Sequence, residues 1–156
     1  MVVLLASVSC RHAVAGDSLY VPQFGCQSEP FGLRLPSSYL ALKNIGSLKR
    51  EQSIEVDGRA RTERKLLEFD GLEFVVYTFQ DKPTRYLVVT AVITKPTWKI
   101  SGPFRVGESL EAVRASLKGY GTTLGNDLSL GSEGGRINFS EEAGRVRKIS
   151  YDCYTG

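Results

Sequence analysis

The 156-residue chain contains one histidine, His12, and this restricts the chemistry open to it. A Ser–His–Asp triad, a Cys–His pair and a histidine-ligated metal all need an imidazole inside the folded site. His12 falls in a segment read below as a removed leader, so none of the three is expected. What remains is a Ser–Lys pair or carboxylates alone. Glu68 and Asp70 sit beside one turn, and Glu141 and Glu142 sit in another. Turn carboxylates are usually solvated. A carboxylate-only hydrolase also needs two acids facing across a cleft, which proximity in a turn does not provide. Gly131, Gly134 and Gly135 are not followed by Gly-Lys-Ser/Thr, so they read as a loop rather than a phosphate cradle. With no His/Cys cluster, neither a metal nor a cofactor is expected. Binding is the expected role, and catalysis is not.

Composition agrees with one ordinary domain or two small units sharing a core. Apolar residues make up 42% and charged residues 24%, which suits a globular chain. A net charge of +3 is too small and too dispersed to indicate nucleic acid. Val2–Ser9 is a short apolar run, well below the roughly 20 residues of a membrane span. It has the character of a secretory h-region, and Ala13 and Ala15 form a small-x-small cleavage pattern, giving a leader of residues 1–15 and a mature start at Gly16. A second reading cuts before Cys10 and attaches lipid to its thiol. Either cut leaves Cys26 and Cys153 as a pair in an oxidising compartment, where two thiols join. The expected location is therefore periplasmic or secreted, with a lipid anchor as the alternative and no transmembrane span.

A repeat organises the remainder. Leu33–Leu42 (LRLPSSYLAL) aligns with Phe104–Val113 (FRVGESLEAV), with Arg34/Arg105, Ser38/Ser109 and Ala41/Ala112 identical. Each serine can cap a short helix through its hydroxyl. Tyr39, Leu42 and Ile45 form the apolar face of the first helix, stopped at Gly46. Leu110, Val113 and Leu117 form that of the second, stopped at Gly119. Strand patterns follow each helix. Lys65–Phe69 and Leu72–Phe79 flank Asp70-Gly71, a strong hairpin signal in which both turn positions favour positive φ. Arg85–Thr94 is rich in β-branched residues. Asp127–Leu130, Arg136–Ser140 and Arg145–Cys153 repeat the scheme. Asp57-Gly58 suggests a further hairpin within the polar stretch 49–63, with strands Ser53–Val56 and Arg59–Lys65. The expected class is α+β: two tandem units, 16–94 and 104–156, joined by a linker at 95–103. Together they would form a sheet of six to eight strands with short helices on one face.

Val106–Val113 (VGESLEAV), then Arg136–Phe139 (RINF) and Gly144–Ile149 (GRVRKI), carry a further signal. This run resembles the Val-Gly-x-Ser-x-x-x-Val, Phe, Gly-x-Val-x-x-Ile signature of small exported α+β repeats. That group includes β-lactamase-inhibitor-protein-like domains and small outer-membrane assembly lipoproteins. The match covers about residues 104–153 directly, and 33–94 through the internal repeat. The resemblance implies a non-enzymatic protein that binds other proteins through sheet and loop surfaces.

Both faces of the strands at 72–79 and 86–94 carry apolar residues. Leu87, Val89, Ala91 and Ile93 are assigned to one face, and Tyr86, Val88, Thr90 and Val92 to the other. Short helices cover one face. The second is covered by loops, by the 49–63 segment or by a dimer mate, or else it docks a protein partner of the cell envelope. Tyr77, Phe79 and Trp98 are the anchor candidates for such docking. The basic stretch of Arg59, Arg61, Arg64 and Lys65 reads as a charge-blunted edge strand, or as a site for an anionic polymer or acidic protein surface. The expected function is an exported, non-enzymatic protein-binding or enzyme-inhibitor-like domain. Its alternative is an envelope-attached structural or assembly lipoprotein.

Overall fold

The computed structural model describes residues 25–132 and 134–154. A 3-10 turn at Pro30–Gly32 leads to helix α1 (Tyr39–Lys43) and four strands: β1 (Leu48–Asp57), β2 (Thr62–Phe69), β3 (Leu72–Phe79) and β4 (Tyr86–Ile93). Helix α2 (Leu110–Gly119) precedes β5 (Ser129–Ser132), β6 (Gly135–Glu142) and β7 (Arg145–Cys153). All seven strands join one sheet in the order β1-β2-β3-β4-β7-β6-β5, and every neighbouring pair is antiparallel. The two segments thus meet through β4 and β7, their last strands, rather than through the linker alone.

The chain is mainly β, which corrects the expected α+β class. Helices of five and ten residues stand against a seven-stranded sheet. Helix α1 was over-read because its apolar spacing continues to Ile45. Asn44 ends it earlier: its backbone N–H returns to Ala41 and Leu42, and its side-chain amide donates to the Leu40 carbonyl at 2.9 Å. Helix α2 runs through Gly119 and stops at Gly121 instead, which holds φ 72° while Thr122 N–H reaches back to the Leu117 carbonyl. That is a Schellman ending, for which the left-handed residue follows the cap. Ser38 and Ser109 do cap, accepting the N–H of Ala41 and Ala112.

Two strand readings also change. Asp127 belongs to a turn, because its carboxylate takes the Ser129 N–H and hydroxyl, so β5 begins at Ser129. Likewise Arg59 and Arg61 fall in the loop between β1 and β2, where Asp57 accepts the N–H groups of Arg59 and Ala60 and Arg61 takes φ 52°.

One buried cluster sits on one side of the sheet. Leu67, Phe69, Leu72, Phe74, Val76, Val88, Ala91 and Ile93 meet Ile137, Phe139, Ile149 and Tyr151 there. Tyr39 and Leu42 of α1 and Val113 and Leu117 of α2 enter the same cluster. The segment that begins at Gly25 is tied to β7 by Cys26 and Cys153, which stand at disulfide distance with Cα atoms 5.7 Å apart. Beside that link the Gln27 amide extends the sheet, donating to the Val88 carbonyl at 2.8 Å and accepting the Val88 N–H at 2.7 Å. Cys10, His12 and the other residues of the expected leader, 1–15, lie outside the described residues.

Two tests of stability follow. The cysteines are 127 residues apart, and closing so long a loop is worth about 5 kcal/mol by the chain-entropy relation, an upper figure. Denaturant unfolding with and without reductant should therefore differ by about 2–5 kcal/mol; equal midpoints would show that the pair does not cross-link. At the β2–β3 turn only Gly71, and not Asp70, has positive φ, at 77°. A Cβ there would come within 2.5 Å of the Lys95 side chain. Gly71→Ala should cost about 1–3 kcal/mol in the same assay, whereas Gly58→Ala, with open space around it, should cost under about 1 kcal/mol.

Candidate protein-docking face

The site is built by strand alternation. Along β3, Leu72, Phe74, Val76 and Thr78 are buried, and the intervening Glu73, Val75, Tyr77 and Phe79 turn to the opposite face, where they are half-buried. Antiparallel register then carries each residue into a row across the sheet. Glu55 on β1, Arg64 on β2, Tyr77 on β3 and Leu87 on β4 form one row. Asp57, Thr62 and Phe79 form the next. Gln52, Leu66, Val75 and Thr90 form a third, on the other side of the first.

A bulge places Leu87. Between Val75 and Val76 the register of β4 jumps from Thr90 to Val88, leaving Val89 without an opposite residue. Strict alternation therefore fails along β4. Val88, Ala91 and Ile93 share the buried face, and Leu87 lies with Tyr77 on the other. This corrects the expected grouping of Leu87 with Ala91 and Ile93.

These rows enclose a groove of about 310 Å³ lined by Arg64, Tyr77, Phe79, Leu87, Thr62 and the acids Glu55 and Asp57. Ala60, from the loop that carries Arg59 and Arg61, closes its rim. The Arg85 guanidinium stands 5.0 Å from the Phe79 ring centroid, a cation–π arrangement. Arg64 Nη1 lies 4.0 Å from the Glu55 carboxylate, and its Nε is buried without a partner among the described residues. Tyr77 and Phe79 are thus brought together in the groove; Arg59 and Arg61 are not among its lining residues, though the Arg61 carbonyl accepts the Gln80 N–H at 3.0 Å, next to Phe79. Trp98 is elsewhere: its ring packs edge-on to Phe69, and its Nε1 donates to the Asp70 carbonyl at 2.8 Å. Arg64 was noted only as part of a basic stretch, and Glu55 and Leu87 were not singled out. Register alone assembles these three, and register is a tertiary property.

The carboxylates weighed for catalysis are engaged as surface ties. Asp70 receives Lys49 at 2.6 Å and Lys95 at 2.8 Å, and these ammonium groups hold its carboxyl down to about 2. Glu68 pairs with Arg50 at 3.0 Å, Glu142 pairs with Arg147 at 2.7 Å, and Glu141 caps the Gly144 N–H. Ser129 of β5, Arg136 of β6 and Asp127 of the turn before β5 form a closed polar knot. No group of His, Cys, Asp and Glu among the described residues can hold a metal ion. No helix among them is long and apolar enough to cross a membrane. Compared with known proteins, the chain matches no family model, no curated protein and no solved structure.

One further cluster fixes α1 to the sheet. Glu51 of β1 accepts the Tyr39 hydroxyl at 2.8 Å, Lys43 at 3.1 Å and Lys65 at 3.4 Å. Burial pushes the Glu51 carboxyl up, but these three donors outweigh it and the net shift is down. Burial and the neighbouring carboxylate push the Tyr39 phenol up, so it stays a donor at neutral pH. A carboxyl lowered by folding stabilises fully above its unfolded value, 4.5 here, and that contribution is lost as acid titrates the folded group. Stability should therefore fall as pH drops below about 4.5, and Glu51→Gln should make that fall shallower. At pH 7 the substitution should cost about 1–2 kcal/mol by chemical denaturation, and an unchanged acid limb would show that Glu51 is not a source of it.

Proposed function

We propose that this chain is an exported, non-enzymatic domain that binds a protein partner through the open sheet face around Tyr77 and Phe79, in the manner of an inhibitor or assembly domain. The observation that carries this reading is the asymmetry of the sheet. One face holds the buried cluster, with apolar side chains from both helices. The other presents Tyr77, Phe79, Leu87, Val75 and Leu66 half-buried, with charged groups around them. Half-exposed aromatics with a polar rim are the composition of a docking surface. The Cys26–Cys153 pair supports export, because such pairs persist in oxidising compartments. The reading retains a leader at residues 1–15 and two tandem units meeting in one sheet.

Tyr77→Ser with Phe79→Ser separates docking from packing. If the face is a docking surface, the double variant should keep its unfolding midpoint, with less than about 1 kcal/mol lost per site. It should also lose at least about tenfold in affinity for a purified partner first captured from an envelope extract by the wild-type protein. Collapse of stability would place both rings in the core and end the reading. A wild-type dimer in sedimentation that the double variant abolishes would assign the face to a second copy of this chain instead.

A further inference from the structure

Glu73 carries the least compensated charge on the docking face. It lies on β3 in line with Val75, Tyr77 and Phe79, so its carboxylate belongs to their side of the sheet. Register sets it directly opposite Glu68 of β2, and opposite Val92 of β4 on the other flank. Two like charges that face each other across an antiparallel pair are destabilising. Glu68 is relieved by Arg50 at 3.0 Å, which comes from β1, on the side of β2 away from Glu73. Glu73 itself is half-buried, and no ion pair or side-chain hydrogen bond reaches it among the described residues.

The nearby cations are committed elsewhere. Arg64 stands at Glu55, and Arg85 lies over the Phe79 ring. Lys49 and Lys95 both bind Asp70 at the β2–β3 turn. Asp57 is met by the N–H groups of its own turn. In a chain of net charge +3, the charge that β1–β4 leave unmatched on this face is therefore a carboxylate. A hollow of about 140 Å³ opens beside it between Glu68, Glu73, Val92 and Thr94, with no lysine or arginine in its lining. That is below the size of small-molecule sites and suits the end of one side chain. The groove at Tyr77, Phe79 and Leu87 lies further along the same strands. Four residues of antiparallel strand put Glu73 about 14 Å from Tyr77. Between them, Leu66 and Val75 continue the apolar floor.

We infer that the protein partner presents a Lys or Arg to Glu73, and that an apolar side chain about 14 Å from it seats in the groove at Tyr77, Phe79 and Leu87. The cation relieves the facing of Glu73 and Glu68, and its aliphatic stem lies along Val75 and Val92. The unmatched carboxylate thus costs stability in the free protein and is compensated on docking, where it selects the partner by charge. This inference rests on the docking-face reading and adds to it the chemistry of the partner.

Two measurements on the full disulfide-bonded protein test it. In chemical denaturation, Glu73→Gln should unfold at the same midpoint as the wild type or a higher one, because it removes a like-charge contact. A lower midpoint shows that Glu73 serves the fold and overturns the inference. The second measurement is selection from random peptides displayed between fixed flanks, so that no free amine ends them. The wild type should enrich Lys or Arg four residues from Phe, Leu, Ile or Trp. A synthetic consensus peptide, capped at both ends, should lose about 5–20-fold in affinity when its basic residue becomes Met, or when the protein carries Glu73→Gln. The two changes together should lose little more than either alone, and added salt should weaken wild-type binding more than that of Glu73→Gln. A consensus that needs Tyr77 and Phe79 but carries no basic residue, or ignores Glu73, overturns this inference and leaves the face reading intact. Enrichment insensitive to Tyr77, Phe79 and Glu73 alike overturns both. An empty selection overturns the basic-partner assignment, and the face reading then stands or falls on the serine variants.

Discussion

The pairing of β4 with β7 is the constraint on which the other features depend. Four residue pairs, Thr90 with Asp152 through Ile93 with Ile149, join the strands of two chain segments into one sheet. Counting outward from this seam, strands run in reverse chain order on both sides. The seam fixes which side is buried, because Ala91 faces Tyr151 and Ile93 faces Ile149 across it, and all four are fully enclosed. A slip of one residue would turn these side chains outward and bring Val92 and Ser150 into the core. Where the ladder between β4 and β7 stops, the Gln27 amide takes over the Val88 backbone groups, and the Cys26–Cys153 pair keeps Gln27 there. The staple therefore also completes a stretch of β4 that β7 does not reach.

That choice of buried side determines the candidate site. With the β3 residues Leu72, Phe74 and Val76 committed inward, Val75, Tyr77 and Phe79 have no alternative but the opposite face. The bulge at Val89 then shifts β4 so that Leu87 joins them. A regular β4 would have presented a different neighbour to Tyr77. The groove is thus a consequence of packing demands on the other face together with one inserted residue.

Strand β3 could be read residue for residue from the sequence. It alternates strictly, and it follows Asp70-Gly71, where Gly71 supplies the positive φ that the turn needs. The serine caps at Ser38 and Ser109 were equally readable, since a hydroxyl ahead of an apolar spacing is a local signal. The class was not. Ile45 continues the apolar spacing of α1, but an amide at Asn44 outcompetes another helical turn. Strand β1 was seen only in part because it is exposed along nearly its whole length. Apolar alternation is confined to Ile54 and Val56, both exposed, and from Lys49 to Ser53 the strand conformation is imposed by pairing with β2. Arg64 was visible as a basic residue, but its place beside Tyr77 comes from register, which sequence pattern does not specify for a polar strand.

Strand β1 also bears on how the molecule can associate. It is a ten-residue edge, the kind of feature that invites pairing with another chain. Two interruptions break its regularity, at Lys49 and at Ile54, and Lys49, Arg50, Glu51, Glu55 and Asp57 keep it charged. Lys49 and Arg50 are anchored to Asp70 and Glu68, so an incoming strand would have to disturb these pairs as well. Bulges and charge are the means by which edges resist strand addition. The opposite edge, β5, is four residues long and offers little ladder to extend. Both edges are thus made unsuitable for strand addition in different ways, which agrees with the proposal that the broad face, and not an edge, does the docking. On that proposed reading the half-buried Tyr77 and Phe79 would supply contact area, and Arg64, Glu55 and Asp57 would set the charge a partner meets.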